Sequence, residues 1–533
     1  MSATKKTLGI SRPRLGRRLT GPRGFRAGTA AMVAVGCVAS TFINTIPAGA
    51  TTANATGSTV VFDRSSDLFG FDPVVDGDQT SISTDLQVYD RLVEVSQDGK
   101  KIVPGLASSW TTGAGGLSMT FTLRPGVRFS DGSLLTSSDV VFSLIRGTDP
   151  STPYGVLFGN AIKSIVAVGP EQVTINLSKP FSPLLASLST FIGSIYSEKN
   201  FKQWGSQAGD HPLGTGAYML QSWSKGNQLT LVKNPYYWGP HKPTISTLIF
   251  KDVPDANARM LQLQSGAADV IDTVSPNQVP ALKQSGGTNV DEVYGPSIQL
   301  VYLNENYKPF ADQNVRLALG YSLDQHAIAT RAFSGLAKPA LSAFPSGTFF
   351  YNPSYAVPYD MTKAKKALKQ SSYPKGFTFQ LIVPPGNSPQ GLFAQIWAAS
   401  LKTIGITLNI VSLEQTTGYQ KWTSQTYQAT TNPSYVNDTP DAFEFSTFMF
   451  FAQNGYYTGW HSATGSALAL QAQTTSNTAV RTTDYASIQK LLAATEPVLP
   501  VVDLPVIYAS SSKIKGFAPN PSGQYFFQNV RKS

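Results

Sequence analysis

Short segments of the chain alternate apolar and polar side chains. Residues 119–123 (MTFTL) and 172–177 (QVTINL) place an apolar side chain at every second position. Because successive side chains of a strand point to opposite faces, this period of two predicts half-buried β-strands. Pro-Gly and Asp-Gly pairs at 125–126 and 131–132 are typical turn dipeptides. The pattern predicts a β-rich region in this part of the chain.

Other segments repeat apolar residues at the spacing of a helix. Thr136 and Asp139 form a capping-box pattern, in which the two side chains cover free backbone N–H groups at a helix start. Six helices are predicted from such signals, over residues 136–146, 256–264, 312–330, 360–369, 391–403 and 484–494. A strand is predicted over 406–411. Helices and strands alternate throughout, which predicts the α/β class.

Residues 1–50 have the pattern of a secretory signal peptide. A basic stretch without acidic residues precedes an apolar run at 30–43 and a small-x-small site that ends at Ala50. Cleavage is predicted after Ala50, with 51–58 as a flexible leader. Alternatively, residues 34–37 resemble a lipoprotein cleavage box, in which Cys37 becomes a lipid anchor. Both alternatives predict an exported protein, either periplasmic or on the outer face of the membrane, by the general or the twin-arginine route.

The net charge of +10 comes almost entirely from this leader. Residues 1–50 hold eight of the 42 basic residues, which leaves 34 basic against 32 acidic residues in the rest of the chain. A nearly neutral body argues against a phosphate-binding surface, so no nucleic-acid partner is predicted.

Seven groups of segments carry a family resemblance. They include FDP at 71–73, FTLRPGVRFSDG at 121–132, HPLGTGAY at 211–218 and NDTPDAF at 437–443. The others lie at 88–94, 104–110, 136–142, 234–238, 263–270, 314–319 and 495–500. These segments follow one another along the chain in the order typical of the family 5 solute-binding proteins, the dipeptide- and oligopeptide-binding components of ATP-binding-cassette importers. The chain therefore resembles this family.

The resemblance implies a two-lobed binding-protein fold of the class II type with an extra β-rich domain. Lobe I is expected over 59–95, 214–300 and 505–533, the extra domain over 96–213 and lobe II over 301–504. A short peptide would bind between the lobes, which close over it. The implied partners are the membrane permease and its ATPase, and the protein is expected to be a monomer that is not an enzyme and needs no cofactor.

One acidic residue is the main candidate for ligand contact. In the family's peptide binders an Asp in the segment matching 437–443 pairs with the peptide's α-amino group, and Asp438 falls on that position. A buried ammonium group needs a charge-assisted partner, which Asp438 would supply. The alternative is that Asp438 caps a turn before Pro440. Asp441 is the neighbouring candidate, with a helix cap as its alternative role, and the segment departs from the family's Asp-Pro at 441–442.

Further contacts are implied by the way the family binds peptides. The ligand backbone is held by main-chain hydrogen bonds like an added strand, and Phe71, Tyr435 and Val436 match the lobe edges that would do so. Trp422 and Trp460, together with Tyr435 and Phe448, are candidates to line loose side-chain pockets. Core packing is the alternative for each of these aromatic residues.

Other classes of function have weaker support. An oligosaccharide, a metal chelate or a haem-like compound stays open as the ligand. A secreted hydrolase is the competing class, but the chain has no Gly-x-Ser-x-Gly elbow. The four histidines are scattered and predict no metal site, although His461 is a candidate contact to a chelated metal. Arg316 is predicted to form a structural ion pair.

Overall fold

The structure, a computed structural model, describes residues 58–385, 388–431, 434–439, 441–451 and 453–533. The predicted signal peptide, both processing alternatives and the leader up to residue 57 lie outside the described residues. Thr56–Ser533 form one compact unit. Within the described ranges, no helix is long and apolar enough to span a bilayer.

Strands are distributed along the whole described chain. In chain order they are β1 (Ser58–Arg64), β2 (Asp90–Arg91), β3 (Val93–Val95), β4 (Ile102–Pro104), β5 (Ala107–Thr112), β6 (Ser118–Leu123), β7 (Ile162–Ala167), β8 (Gln172–Leu177), β9 (Ser194–Ile195), β10 (Tyr218–Ser224), β11 (Gln228–Lys233), β12 (Ile245–Asp252), β13 (Val270–Ile271), β14 (Thr288–Leu303), β15 (Lys338–Pro339), β16 (Thr378–Val383), β17 (Thr407–Ser412), β18 (Ala429–Thr430), β19 (Tyr435–Val436), β20 (Val498–Ser511), β21 (Ile514–Lys515) and β22 (Arg531–Lys532).

Helices alternate with these strands, as the α/β class requires. In chain order they are α1 (Gln79–Val88), α2 (Ser137–Gly147), α3 (Leu184–Leu188), α4 (Glu198–Trp204), α5 (Ala256–Ser265), α6 (Val279–Gln284), α7 (Lys308–Ala311), α8 (Gln313–Tyr321), α9 (Gln325–Arg331), α10 (Met361–Gln370), α11 (Pro389–Lys402), α12 (Gln415–Thr423), α13 (Phe443–Phe450), α14 (Gln453–Tyr456), α15 (Ala463–Thr474) and α16 (Thr478–Thr495).

One large mixed sheet of 12 strands is the main sheet of the molecule. Its strand order is β10-β11-β12-β1-β13-β20-β14-β18-β16-β17, with β15 paired to β20 and β19 paired to β14. Two long strands, β14 and β20, run antiparallel from the pair Thr288–Ser511 to the pair Tyr302–Val498. At about 3.3 Å per residue, the 16 residues of β14 span about 50 Å. This pair joins the two halves of the sheet.

The half of the sheet around β1 has an aromatic core. Phe62 lies 5.6 Å from Phe250 and 5.0 Å from Tyr525, measured between ring centroids. Tyr508 of the long strand β20 packs edge-on against Phe62 at 6.4 Å. Tilted and edge-on rings stabilise such a core beyond the apolar area they bury. The C-terminal segment and β20 are thereby fastened to β1.

The other half of the sheet has a separate core beneath α11. Trp397 is fully buried, stacks on Phe393 at 6.0 Å and packs edge-on against Phe379 of β16 at 5.8 Å. Its indole N–H donates to Ser322 Oγ at 2.8 Å, so the buried polar atom is satisfied. Each half of the large sheet therefore has its own apolar core, as the two-lobed fold requires.

The predicted β-rich region is a smaller sheet of its own. Its antiparallel order is β5-β6-β8-β7, and α2 packs against it. The alternating residues predicted as strands form β6 and β8, with Phe121 and Ile175 fully buried. The backbone N–H of Thr136 donates to the Asp139 carboxylate at 3.0 Å at the start of α2. The boundaries expected for the three regions stay a prediction.

Five of the six helices predicted from local signals are confirmed, and one prediction was wrong. The segment 312–330 is not one helix, since α8 ends at Tyr321 and α9 begins at Gln325. The side chain of Asp324 accepts from the N–H of Ala327 at 2.9 Å and so caps a new helix. The span predicted as one helix therefore contains a second helix start at Asp324 and forms two helices. The helices predicted at 136–146, 256–264, 360–369, 391–403 and 484–494 are confirmed as α2, α5, α10, α11 and part of α16.

Gly295 in β14 offers a test of how closely the C-terminal segment packs against this strand. A Cβ atom at Gly295 would stand 1.8 Å from the carbonyl oxygen of Pro521. Because that neighbour is backbone, we expect Gly295→Ala to lower the free energy of unfolding by about 1–3 kcal/mol, measured by urea denaturation. Gly287→Ala is the control, since its Cβ would meet its nearest atom at 3.7 Å. Equal losses in both variants would contradict this account of the close packing at Gly295.

Candidate functional site

Three parts of the chain meet beside the long strands. Asp78 caps α1, Tyr154 belongs to the region of the smaller sheet, and Tyr419 lies on α12. The ring of Tyr154 lies directly on Gly77, because a Cβ there would be 2.3 Å from the ring and its hydroxyl. Burial raises the pKa of Tyr154, and Tyr419, Asp438, Tyr457 and Asp78 raise it further. Each of these four side chains therefore lies close enough to Tyr154 to act on it electrostatically, and we call the five residues together the cleft group.

The loop that carries Asp438 is anchored to β14. Tyr435 and Val436 of β19 pair with Ile298 and Ser297. The N–H of Asn437 donates to the carbonyl of Pro296 at 2.9 Å. On the other side, the Ser522 hydroxyl donates to the Asn437 carbonyl at 3.0 Å. The position of this loop therefore depends on the bulged middle of β14.

Side chains within the loop fix its shape. The amide of Asn437 donates to the carbonyls of Thr439 at 2.9 Å and Asp441 at 2.8 Å. The Tyr435 hydroxyl donates to the Asn437 side chain. These bonds close the loop around Asn437 and leave the Asp438 side chain out of the network.

Asp438 sits beside a second carboxyl group. Its backbone N–H donates to Glu444 Oε2 at 3.1 Å, and Glu444 is buried in the first turn of α13. Burial raises the pKa of Asp438 to about 7. Burial and the neighbouring Asp438 raise the pKa of Glu444 well above its ordinary value. The two carboxyl groups oppose each other's ionisation in this environment.

The Asp438 carboxylate has no protein partner among the described residues. Asp438 keeps some accessible surface, although it lies deep among protein atoms. No described ion pair includes Asp438 or Glu444. A partly covered carboxylate without a cation is suited to receive a positively charged group from a ligand.

Asp441, the neighbouring candidate, is held by the protein. Both of its carboxylate oxygens accept from Arg481 Nη2 at 2.8 Å. One of them also accepts from the N–H of Phe443 at 3.0 Å, at the start of α13. These contacts belong to the helix-capping alternative, and the ligand role of Asp441 stays a prediction.

The predicted pocket aromatics lie mostly in the core. Trp422 is 2% exposed and packs against the rings of Tyr419 at 5.5 Å and Tyr457 at 4.6 Å. Trp460 packs against Phe450 at 5.9 Å. Phe448 also lies in this core, stacked on Tyr456 at 5.4 Å. Trp422 therefore packs against two rings of the cleft group, those of Tyr419 and Tyr457. Direct ligand contact by Trp422 and Trp460 stays a prediction.

Phe71 lies in the core of the β1 half, where it packs edge-on against Trp223 at 5.8 Å. Its N–H donates to the carbonyl of Gly209 at 3.2 Å, and its carbonyl accepts from the Tyr89 hydroxyl at 3.0 Å. Both backbone groups of Phe71 are thus paired within the protein, and its ligand-edge role stays a prediction. Arg316 does form the predicted structural ion pair, with Glu305 at 2.7 Å.

Five residues of the site were not identified from the sequence: Asp78, Tyr154, Tyr419, Glu444 and Tyr457. Glu444 alone had a local signal, because Asp441-Ala-Phe-Glu444 has the spacing of a helix cap and its third helical residue. The tyrosines come from distant segments and lie in no motif. No group of three metal-ligating side chains occurs in the described part of the chain.

Comparisons with known proteins agree on one family. Residues 101–457 match the model of the bacterial extracellular solute-binding proteins, family 5 Middle. The dipeptide-binding protein of Escherichia coli K12 is 27% identical over 512 residues, covering 90% of this chain and 95% of that protein. The glutathione-binding protein GsiB of Salmonella typhi is 27% identical over 495 residues, covering 88% and 94%.

A solved structure shows the same fold. The periplasmic binding protein DppA from Helicobacter pylori, in complex with the peptide STSA, superposes with a TM-score of 0.81 at 26% identity. The match covers 89% of this chain and 98% of that one. The fold predicted from the resemblance is therefore confirmed.

The raised pKa of Asp438 predicts how pH affects the stability of the ligand-free protein. The folded protein keeps this proton up to about pH 7, while the unfolded chain releases it near the ordinary value of 3.8. The contribution of Asp438 to stability is therefore present below about pH 4 and is lost as pH rises to about 7. Asn cannot ionise and so lacks this pH dependence. We therefore expect the melting temperature of Asp438→Asn, relative to that of the parent, to increase as pH rises from about 4 to about 7 and to change little above pH 7.

Thermal melts at pH 4 to 8 without ligand check this expectation. Glu171→Gln is the control, because Glu171 is exposed in the smaller sheet region. A melting-temperature difference between Asp438→Asn and the parent that is the same at every pH would show that Asp438 ionises normally in the folded protein.

Proposed function

This chain belongs to the bacterial extracellular solute-binding proteins of family 5, and on that premise we propose that it captures short peptides in the cleft beside Asp438. It is the solute-binding component of an ATP-binding-cassette importer and not an enzyme. Its two-lobed fold matches that of periplasmic binding proteins. Such a component works outside the cytoplasm and delivers its ligand to a membrane permease.

The carboxylate of Asp438 carries the proposal of a peptide ligand. It is largely surrounded by protein, and no described cation or hydrogen-bond donor faces it. A peptide's α-ammonium group would supply both the charge and the donors that this carboxylate lacks. The dipeptide-binding relative and the peptide-bound DppA support the same class of ligand.

The arrangement of the site suggests how binding and closure are connected. Asp438 is attached to β14 through its loop, while Asp78 and Tyr154 belong to other parts of the chain. A ligand that contacts all three would favour the closed arrangement, because only that arrangement provides every contact. The closed, loaded protein would then be the form that the permease recognises. We expect the binding protein to act as a monomer.

Export is expected to follow one of two routes. The leader would be cleaved after Ala50 and release the protein, or Cys37 would be lipidated and hold it at the outer face of the membrane. Both residues lie outside the described residues. Mass spectrometry of the exported protein would distinguish a chain that begins at residue 51 from one that begins with a lipidated cysteine.

A thermal-shift panel tests the peptide proposal on residues 51–533. The ligands are short free peptides, the same peptides N-acetylated, glutathione, an oligosaccharide and a nickel chelate. A ligand present at a hundred times its dissociation constant adds about 2.7 kcal/mol to the free energy of unfolding. We expect the free peptides to raise the melting temperature and the acetylated peptides to have little effect, because acetylation removes the ammonium charge.

Asp438→Asn provides the matched variant for this panel. Losing a charge-assisted hydrogen bond costs about 1.5–3 kcal/mol, so its peptide affinity should fall about 10- to 100-fold. Glu171→Gln should bind like the parent. Stabilisation by the sugar or chelate alone would overturn the peptide assignment, and equal stabilisation by free and acetylated peptides would remove the amine role of Asp438.

A further inference from the structure

The charge of the chain after residue 50 is unevenly distributed. Residues 301–410 hold ten basic and four acidic residues, whereas the rest of the chain after residue 50 holds 24 basic and 28 acidic residues. The nearly neutral total therefore combines a basic part with a mildly acidic part. Residues 301–410 supply most of the core beneath α11, so the basic part belongs to one half of the large sheet.

The helix α10 presents much of this positive charge on one side. Its residues Ala364, Ala367 and Leu368 are buried, which fixes the side of the helix that faces the core. Because side chains three and four positions apart share a face, the remaining positions point outwards. Its other exposed residues, Thr362 and Gln370, are polar. The exposed lysines of α10 are Lys363, Lys365, Lys366 and Lys369.

Two further lysines extend this surface beyond the end of α10. The carbonyl oxygen of Lys375 would lie 3.0 Å from a Cβ atom at Gly405. The N–H of Gly405 donates to the carbonyl of Lys402 at 3.2 Å. Lys375 and Lys402 are therefore neighbours, and both are exposed. We use the name basic face for six residues: Lys363, Lys365, Lys366, Lys369, Lys375 and Lys402.

Few acidic groups neutralise the basic face. Asp360, the cap of α10, pairs with Lys363 at 3.6 Å. The carboxylate of Asp312 accepts from the main-chain N–H groups of Ser372 at 2.7 Å and Asn314 at 2.8 Å. Among the described residues, no ion pair includes any of the other five lysines. The basic face therefore keeps a net positive charge that is open to solvent.

Lysines in this arrangement suit an extended anionic surface better than a specific protein partner. The Lys ammonium group is a compact charge on a flexible stem and lacks the fixed two-pronged geometry of Arg. Lys is depleted at protein–protein interfaces, whose centres are built from aromatic and apolar anchors. The exposed side of α10 has no such anchor. Clusters of about four to eight Lys or Arg on a helix attract anionic lipid headgroups.

We infer that the basic face holds the exported protein against the anionic phospholipid headgroups of the membrane surface. The apolar side of α10 is buried in the protein, so the association is peripheral, electrostatic and reversible. It would concentrate the binding protein near its permease even where no lipid anchor holds it. This inference goes beyond the proposed function and does not depend on which ligand the cleft binds.

Co-sedimentation with lipid vesicles tests the inference. Residues 51–533 are used, because the basic leader would itself bind anionic lipid and Thr56–Ser533 form a compact unit. The vesicles contain phosphatidylcholine alone or phosphatidylcholine with about 30% phosphatidylglycerol. We expect the parent to bind only the phosphatidylglycerol vesicles at about 25 mM NaCl, and to be released at about 500 mM NaCl because salt screens exposed charges.

A triple variant connects the binding to the basic face. Lys365, Lys366 and Lys369 are changed to Gln, which is a good helix former and should preserve α10. Each lysine near an anionic surface strengthens binding about fivefold, so we expect the vesicle partition coefficient to fall by at least about 10-fold. Changing the same three lysines to Arg keeps the charge and should retain the parent's binding.

The control removes the same charge elsewhere. Lys100, Lys101 and Lys163 are exposed and lie outside the basic face, so their change to Gln should affect vesicle binding by less than about twofold. Equal losses in the two Gln variants would overturn the inference, as would equal binding of the parent to both kinds of vesicle. No binding of the parent to either vesicle would also overturn it. Peptide affinity should be the same in all variants, so failure of the proposed function is detected separately.

Discussion

The antiparallel pairing of β14 with β20 is the contact on which the rest of the molecule depends. β20 joins β13 and thereby the aromatic core of the β1 half, while β14 joins β18 and the core beneath α11. β14 also carries β19, and so fixes the start of the Asp438 loop. One ladder therefore connects the two halves of the sheet and positions the residue proposed to bind the ligand. Main-chain hydrogen bonds, more than any single side chain, hold the site in place.

The Asp438 loop shows how a polar site is supported where water is largely excluded. Asn437 closes the loop, Glu444 accepts from the N–H of Asp438, and Asp441 is neutralised by Arg481. Each of these neighbouring polar groups has a partner within the protein. Within the described ranges the Asp438 carboxylate is the exception, and its raised pKa reflects the cost of that position. In the proposed function a ligand cation would remove this cost, so part of the free energy of binding would come from relief of an unfavourable unliganded state.

The sequence determined much of the fold, because the relevant forces are local. Alternation at 119–123 and 172–177 located β6 and β8, and Asp255 and Asp360 marked the starts of α5 and α10. A cap needs only a side chain and the next few N–H groups, so it can be read from neighbouring residues. The prediction of one helix over 312–330 was wrong because Asp324, within that span, is itself a cap and starts a new helix. The family resemblance added the two-lobed architecture, which local patterns do not specify.

Tertiary structure decided which residues form the site. The sequence singled out Asp438 through the resemblance, and among the residues that the structure describes its carboxylate has no hydrogen-bond or ion-pair partner. Nothing local indicated that Asp438, Tyr419 and Asp78 would each lie near Tyr154, because these residues are separated by long stretches of chain and meet only when the regions pack together. Packing likewise placed Trp422 and Phe71 in cores and engaged Asp441 with Arg481. Residue type and spacing define the chemistry that a chain can offer, whereas burial and long-range contacts determine which groups remain free to use it.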